Sequence, residues 1–201
     1  MITLIIVDCQ NDFITGTLTV KGAKTAVEEI KKFIKSHHKE IEKIIFTVDW
    51  HPYNHSSFKK FGGQWPNHCV QYTPGACIEP KLLKFVQSLN ISYEVSQKGC
   101  IEEVEEYGAF SEITFQEDSV FGKRVYLDIV EANPESTFVV CGIAGDYCVK
   151  ETIKNMLTGE ITPKVFCPGI ASIDGGKALS DFIKENKLEK IVCNNEKLFS
   201  N

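Results

Sequence analysis

The sequence lacks the cysteine patterns of secreted disulfide scaffolds and of structural zinc sites. Its 8 cysteines among 201 residues include no Cys-x-x-Cys pair, and a disulfide scaffold has more than about 8% cysteine. These absences argue against a zinc ribbon and a thioredoxin-type redox motif. We therefore expect reduced thiols in the cytoplasm, most of them small core residues. The cysteines expected in the core are Cys9, Cys100, Cys141, Cys167 and Cys193.

Long apolar runs and a basic stripe are also missing. No stretch approaches the roughly eighteen continuous apolar residues of a membrane helix. The apolar N-terminal run has no positive flank and ends at Asp8, which predicts a buried strand and not a secretory signal. The net charge is −5 and Lys and Glu are interspersed, so no surface offers a track for phosphates. We expect neither a nucleic acid nor a membrane partner, and a homo-oligomer stays open.

Short runs rich in branched residues alternate with stretches of helical period. The predicted strands are near-continuous apolar runs, as in a parallel sheet covered on both faces. They cover residues 3–7, 43–48, 91–95, 137–141, 164–166 and 190–193. The alternation predicts a single α/β domain over residues 1–201, with three α/β/α layers and a mainly parallel central sheet of about six strands.

A long loop from about residue 50 to 80 interrupts this pattern. It has little periodicity, four prolines and three of the five histidines. Unstructured insertions of this length are usually functional or disordered, and the aromatic and histidine content argues against disorder. We therefore expect a metal- and substrate-binding loop.

The histidines of this loop predict a metal site. Asp49 and His51 are separated by one residue, and His68 returns from the far side of the loop. Two nitrogen ligands and one oxygen ligand suit Zn, Fe or Mn. His55 is either a fourth ligand or a residue that orients the ligands, and we favour the second alternative. The ordinary alternative is that each histidine only hydrogen-bonds a turn.

Reactive side chains directly follow four predicted strands. Asp8 ends the first strand, Asp49 and His51 end the second, Lys98 follows the third and Cys148 follows the fourth. Ligands of open α/β sheets bind beyond the carboxyl ends of the strands, so we expect one crevice to collect these residues. Each residue alone has an ordinary explanation as a turn residue, a solvated lysine or a core cysteine, and their joint placement favours a site.

Cys148 combines the features of a nucleophile and of an oxyanion site. It follows a turn of small residues, so its sulfur should lie at a helix N-terminus, which favours the thiolate. The amides of Ala144 and Cys148 are the expected donors to an oxyanion. Asp8 is the available base, since burial should raise its pKa while Lys98 lowers it and holds the carboxylate. The residues thus predict a triad of Asp8, Lys98 and Cys148.

Several motifs occur in one order between residues 7 and 149. They are VDCQNDF at 7–13, DWHP at 49–52, NHSSF at 54–58, WPNHCV at 65–70, TPGA at 73–76, KG at 98–99, YGAF at 107–110, and GIA at 142–144 with CV at 148–149. In this order they resemble the nicotinamidase branch of the isochorismatase-like cysteine hydrolases. The resemblance implies hydrolysis of nicotinamide to nicotinate and ammonia through a Cys148 thioester, as in NAD salvage.

The resemblance also implies roles for the residues around the substrate. The peptide bond between Ile143 and Ala144 should be cis and both residues should border the substrate. Phe13 and Trp65 should sandwich the pyridine ring, and Tyr107 should line the pocket. The metal, zinc before iron or manganese, should bind the pyridine nitrogen and orient the ring, and no organic cofactor is expected.

The chain departs from the family pattern at two glycines. Gly145 stands where Thr or Ser is common, and Gly108 replaces a frequent Ser. These departures put the substrate breadth in doubt. The acidic run before Tyr107, comprising Glu102, Glu103, Glu105 and Glu106, is expected to be a solvated loop face and not a second metal site.

Three other functions remain open. The first is a related hydrolase of the same superfamily, either an isochorismatase or an N-carbamoyl amide hydrolase. Isochorismatases act without this cysteine, and neither characteristically carries the combined Asp-x-His and Trp-Pro-x-His motifs. The second is a metal-binding or redox module without turnover, and the third is a structural protein. A scaffold has no need for a buried acid, lysine and thiol in one crevice.

Overall fold

The computed structural model of the protein describes residues 1–111, 135–195 and 198. Six strands form one sheet in the order β3-β2-β1-β4-β5-β6, and every pairing is parallel. The strands are β1 Ile2–Val7, β2 Ile41–Asp49, β3 Ser92–Lys98, β4 Thr137–Ile143, β5 Lys164–Ala171 and β6 Lys190–Ile191. The strand order changes direction between β1 and β4, which is where open α/β sheets form their crevice. The predicted parallel sheet of about six strands is confirmed.

Helices cover both faces of the sheet. They are α1 Asn11–Ile14, α2 Ala23–His37, α3 Pro80–Ser88, α4 Lys150–Thr158 and α5 Lys177–Glu185. Side chains of β1 alternate between two cores: Leu4 and Ile6 lie in the core with α2 and α3, whereas Ile5 and Val7 lie in the core with α4 and α5. Successive strand residues point to opposite faces, so a strand buried throughout requires a helical layer on each side. This arrangement gives the three predicted layers.

The edges of the sheet differ from the prediction. Strand β3 runs to Lys98 and exposes alternate residues such as Val95, so one of its two faces is only partly covered. Strand β6 has two residues instead of four, and Val192 and Cys193 beyond it are exposed. Cys100 is also exposed, so the predicted core position is wrong for Cys100 and Cys193. All eight cysteines lie within the described residues and are free thiols.

The loop between β2 and α3 is ordered by short pairings. His51 pairs with Val70, and Phe58 pairs with Trp65. Two 3-10 turns, Lys59–Phe61 and Pro74–Ala76, interrupt it. Among the described residues, no helix has the length and apolar character needed to cross a bilayer. Residues 112–134, 196–197 and 199–201 of the predicted domain lie outside the described residues.

Candidate active site

Four side chains meet beyond the carboxyl ends of β1 to β4. The Lys98 ammonium lies 2.8 Å from Asp8 Oδ2 and 3.6 Å from the Cys148 sulfur, and it contacts Asp49 Oδ1 directly. All four side chains are buried. The parallel register explains the meeting, since Asp49 pairs with Lys98 and Val7, which precedes Asp8, pairs with Thr47 and Gly142. The crevice expected from the sequence therefore brings these residues together.

Thr47 holds the Asp8 carboxylate from the neighbouring strand. Its hydroxyl donates a hydrogen bond to Asp8 Oδ1 at 2.7 Å, and its carbonyl accepts the Asp8 N–H at 3.0 Å. Burial raises the pKa of Asp8, Lys98 lowers it, and the nearby Asp49 raises it, with a net increase. Asp8 is therefore a carboxylate of raised basicity beside a thiol.

Lys98 remains an ammonium group in spite of its burial. Burial alone would lower its pKa, but the Asp49 and Asp8 carboxylates raise it well above its ordinary value. The pKa of the Asp49 carboxyl shifts in the opposite direction. Burial would raise its pKa, but Lys98, His51 and His68 lower it below its usual range. The crevice thus holds one fixed cation and at least one fixed anion.

Cys148 lies in a π-helical turn, Gly145–Val149, immediately before α4. The helix end, from which the sequence analysis expects a tendency toward the thiolate, is opposed here by burial of the sulfur. Burial raises the pKa of the thiol well above its ordinary value; Lys98 lowers it only in part, and Asp8 and Asp49 raise it further. Removal from water therefore outweighs the effect of the Lys98 ammonium on the pKa of the thiol. The sulfur is therefore a thiol that needs a base.

The turn that carries Cys148 begins with a cis peptide bond between Ile143 and Ala144, as the resemblance implies. The Ala144 carbonyl accepts the N–H groups of Tyr147 and Val149 at 3.2 and 3.0 Å. A second anchor, which the sequence analysis did not identify, comes from Asp146. Its buried carboxylate accepts the N–H groups of residues 173 and 174 at 2.9 and 3.0 Å, and so ties the turn to the loop before α5.

Asp49, His51 and His68 are buried and bring one ligand atom each within 4.8 Å of one another. Nε2 of His51 lies 3.5 Å from Asp49 Oδ2, and Nε2 of His68 lies 3.8 Å from the same oxygen. Each Nδ1 donates a hydrogen bond of 2.9 Å to a backbone carbonyl, that of Gly99 for His51 and that of Pro66 for His68. Because a carbonyl only accepts, Nδ1 of each ring carries a proton, and Nε2 is the nitrogen that faces Asp49 and would bind a metal ion when deprotonated. Two imidazole nitrogens and a carboxylate oxygen with fixed tautomers fit a zinc ion.

His55 lies behind this set. Its ring contacts the His51 ring in a tilted arrangement, with a centroid distance of 4.2 Å. Its Nε2 donates to the Val104 carbonyl at 3.0 Å, and its Nδ1 accepts the Ser57 hydroxyl at 2.7 Å. Both nitrogens therefore bind protein groups, which favours the orienting role over that of a fourth ligand.

Gln10, which follows β1, holds the backbone of Asp49. Its amide donates to the carbonyls of Asp49 and Ala76, both at 2.8 Å, and its Oε1 accepts the Asp49 N–H at 2.8 Å. Asp12 acts similarly on the residue after His68, because its carboxylate accepts the Cys69 N–H at 2.8 Å. Sequence reasoning did not assign these roles. The available signal was the presence of Gln10 and Asp12 within five residues of the end of a buried strand.

Aromatic side chains lie next to these residues. Trp65 Nε1 donates to the Tyr107 hydroxyl at 3.1 Å, and the Tyr147 ring lies 5.1 Å from Trp65 and 5.3 Å from Tyr107. Phe13 is buried and lies 5.5 Å from His68. Phe13 thus borders the metal-site residues, and Trp65 and Tyr107 border the turn of Cys148. Tyr147 is an addition that the sequence analysis missed.

The two departures from the family pattern have a packing explanation. A Cβ at Gly145 would lie 2.2 Å from the Ser172 hydroxyl oxygen, and one at Gly108 would lie 2.6 Å from the Glu151 backbone. Neighbouring atoms fill both positions, so neither accepts a larger residue without rearrangement. The expectation for the acidic run is correct for the exposed Glu102, Glu103 and Glu105 but wrong for Glu106, which is buried.

Comparisons with known proteins agree with this geometry. Residues 3–88 match the profile of the isochorismatase domain. The nicotinamidase of Escherichia coli is 32% identical over 171 residues, which cover 77% of this chain and 75% of the relative. The structure of yeast nicotinamidase bound to the inhibitor nicotinaldehyde has a TM-score of 0.78 and 26% identity, covering 95% of this chain and 99% of that one.

A pyrazinamidase of Pyrococcus horikoshii in complex with zinc is also similar. Its TM-score is 0.74 at 26% identity, with 94% of this chain and 98% of that chain covered. Both the sequence relative and these structures extend over most of the chain, well beyond the residues of the domain profile. The chain therefore belongs to the isochorismatase-like family, in the branch that contains the nicotinamidases.

Proposed function

We propose that the protein is a nicotinamidase, which hydrolyses nicotinamide to nicotinate and ammonia. The observation that carries the proposal is the contact of Lys98 with Asp8, Asp49 and Cys148 in one buried crevice. A thiol beside a carboxylate of raised pKa is an arrangement for nucleophilic attack on a carbonyl. Relatives that are themselves nicotinamidases support the choice of substrate.

In the first half-reaction, Asp8 accepts the Cys148 proton as the sulfur attacks the carboxamide carbon. The N–H groups of Ala144 and Cys148 donate to the oxyanion that forms. The C–N bond then breaks, and ammonia leaves with the proton that Asp8 returns. Lys98 keeps a cation beside Asp8 throughout, which limits the pKa of that carboxyl and fixes its position.

In the second half-reaction, water attacks the thioester. Asp8 accepts a proton from this water, the C–S bond breaks, and the proton passes to the sulfur. The acid leaves and loses its carboxyl proton to solvent as nicotinate, and Cys148 is again a thiol. One water is consumed for each amide bond, and a single carboxylate serves as base and acid in both halves.

Asp49, His51 and His68 would hold one divalent metal ion. Zinc is the first choice, with iron and manganese as alternatives, and a zinc-bound structural neighbour supports it. When bound, the ion would act as a Lewis acid toward the pyridine nitrogen and would so orient the ring. His55 would keep the His51 ring in place through the contact between the two rings.

Phe13, Trp65 and Tyr107 would form the walls of the ring pocket, with Ile143 and Ala144 at its reactive end. Flat aromatic walls suit a pyridine ring through offset and edge contacts. We further propose one domain over residues 1–201 and a role in NAD salvage. The eight free thiols support a cytoplasmic location.

Ammonia release from nicotinamide tests the function, with pyrazinamide and a carbamoylated amine as alternative substrates. The zinc-loaded protein should release ammonia from nicotinamide, and Cys148→Ala should lower kcat by more than about 10⁴-fold. Its zinc content should match that of the wild type, because the thiol is assigned to chemistry and not to ligation. Cys77→Ala, at an exposed thiol, is the matched control. Turnover that persists in Cys148→Ala would contradict the proposal. Absence of turnover of both nicotinamide and pyrazinamide by the wild type would also contradict it.

A further inference from the structure

Glu106 is a buried carboxylate that the catalytic scheme does not use. It belongs to the acidic run of the 99–111 loop, yet it is buried, whereas Glu102 and Glu103 are exposed. Its Oε2 accepts the Gly99 N–H at 2.8 Å, and its Oε1 accepts the Ser111 hydroxyl. A buried carboxylate is unfavourable unless it is well hydrogen-bonded, so these contacts fix where it lies.

Gly99 connects Glu106 with the metal-site histidine. The Gly99 carbonyl accepts His51 Nδ1–H at 2.9 Å, and this bond leaves Nε2 facing Asp49. Gly99 has a φ of +63°, and a Cβ there would lie only 2.5 Å from Cε1 of His51. The imidazole thus packs directly on the glycine backbone, and a shift of Gly99 would move the bond that orients the ring.

The same short segment carries Lys98. Lys98 is the last residue of β3, and its carbonyl accepts the Trp50 N–H at 2.9 Å. Between this bond and the His51 bond, the Gly99 N–H is held by Glu106. The carboxylate is therefore the side-chain anchor at the point where the chain leaves the sheet.

We infer that Glu106 is a positioning residue, which holds the Gly99 carbonyl that orients His51 toward the metal. The inference rests on the proposed metal site of Asp49, His51 and His68. Partners that orient metal-binding histidines typically change metal affinity by about 10- to 100-fold when they are removed. Because Glu106 acts on His51 through Gly99, we expect a change in metal affinity at the lower end of this range.

Zinc dissociation constants test the inference by competition with a chromophoric chelator. Glu106→Ala should weaken zinc binding about tenfold. Glu106→Gln keeps an oxygen that accepts the Gly99 N–H and should stay within about threefold of the wild type. Glu103→Ala, an exposed acid of the same run, is the control and should bind zinc as the wild type does. Unfolding temperatures of the metal-free proteins separate a positioning effect from a loss of stability.

Equal zinc affinity of Glu106→Ala and Glu103→Ala would overturn the inference. A loss in Glu106→Gln as large as that in Glu106→Ala would also overturn it, because the acceptor would not be what matters. If the alanine variant does not fold, hydrogen exchange of the wild type decides, since rapid exchange at the Gly99 amide is incompatible with the bond to Glu106. Zinc binding is measured without turnover, so a failure of the proposed hydrolysis would be seen separately.

Discussion

Lys98 Nζ lies 2.8 Å from Asp8 Oδ2 in a crevice where both side chains are fully buried. The same ammonium contacts Asp49, so one cation serves two carboxylates. Two buried carboxylates without a cation would repel each other and lack solvation. Lys98 thus links the proposed catalytic residues to the proposed metal ligands, and its removal should affect stability as well as activity.

Lys98→Met should lower the free energy of unfolding of the metal-free protein by about 3 kcal/mol at pH 7. The loss should shrink as the pH falls, because the pKa of Asp8 and that of Asp49 both rise without the cation, and protonated carboxyls do not need it. Urea unfolding at pH 7 and pH 5 measures both values. Lys154→Met, which removes an exposed ion pair with Glu151, should change stability by less than about 1 kcal/mol. An equal loss for Lys98→Met at both pH values would contradict the electrostatic explanation.

Thr47→Val should impair the base without disturbing the core, since valine has nearly the same shape. Asp8 Oδ1 would lose the hydroxyl that donates to it at 2.7 Å, and hydrogen bonds to charged groups contribute about 1.5–3 kcal/mol. We expect kcat for nicotinamide to fall roughly 10- to 100-fold, with little change in KM. Thr47→Ser restores the donor and should recover most of the rate. If serine were as impaired as valine, loss of the hydroxyl alone would not explain the effect.

The raised pKa of the Cys148 thiol predicts that the free enzyme holds little thiolate at neutral pH. Burial keeps the sulfur protonated in spite of Lys98, so deprotonation should coincide with substrate attack. The difference in thiolate absorbance near 240 nm between the wild type and Cys148→Ser, followed over pH, measures this pKa. Its midpoint should lie above that of an ordinary thiol, about 8.5. A midpoint below pH 7 would instead support the helix-end thiolate expected from the sequence.

The features predictable from the sequence are those that follow from strand topology. Branched runs predict the parallel sheet, and parallel strands place Asp8, Asp49, Lys98 and Cys148 at one edge. Burial of individual polar groups is not predictable in this way, because it depends on which loop covers them. In the sequence, the buried Glu106 therefore cannot be distinguished from the exposed acids beside it. Likewise, the sequence shows that Cys148 is close to a helix end, which favours the thiolate, but it does not show the burial that raises the pKa of the thiol.

His55→Asn should leave the metal content unchanged, which separates His55 from the proposed ligands. Both of its ring nitrogens already bind protein groups, Val104 and Ser57, so the ion would gain no bond from it. His51→Ala should lose the metal, because Nε2 of His51 is directed toward Asp49 by the Gly99 carbonyl. Elemental analysis after dialysis against a weak chelator distinguishes the two variants. Loss of metal from His55→Asn equal to that from His51→Ala would make His55 a fourth ligand and would require its hydrogen bonds to rearrange on binding.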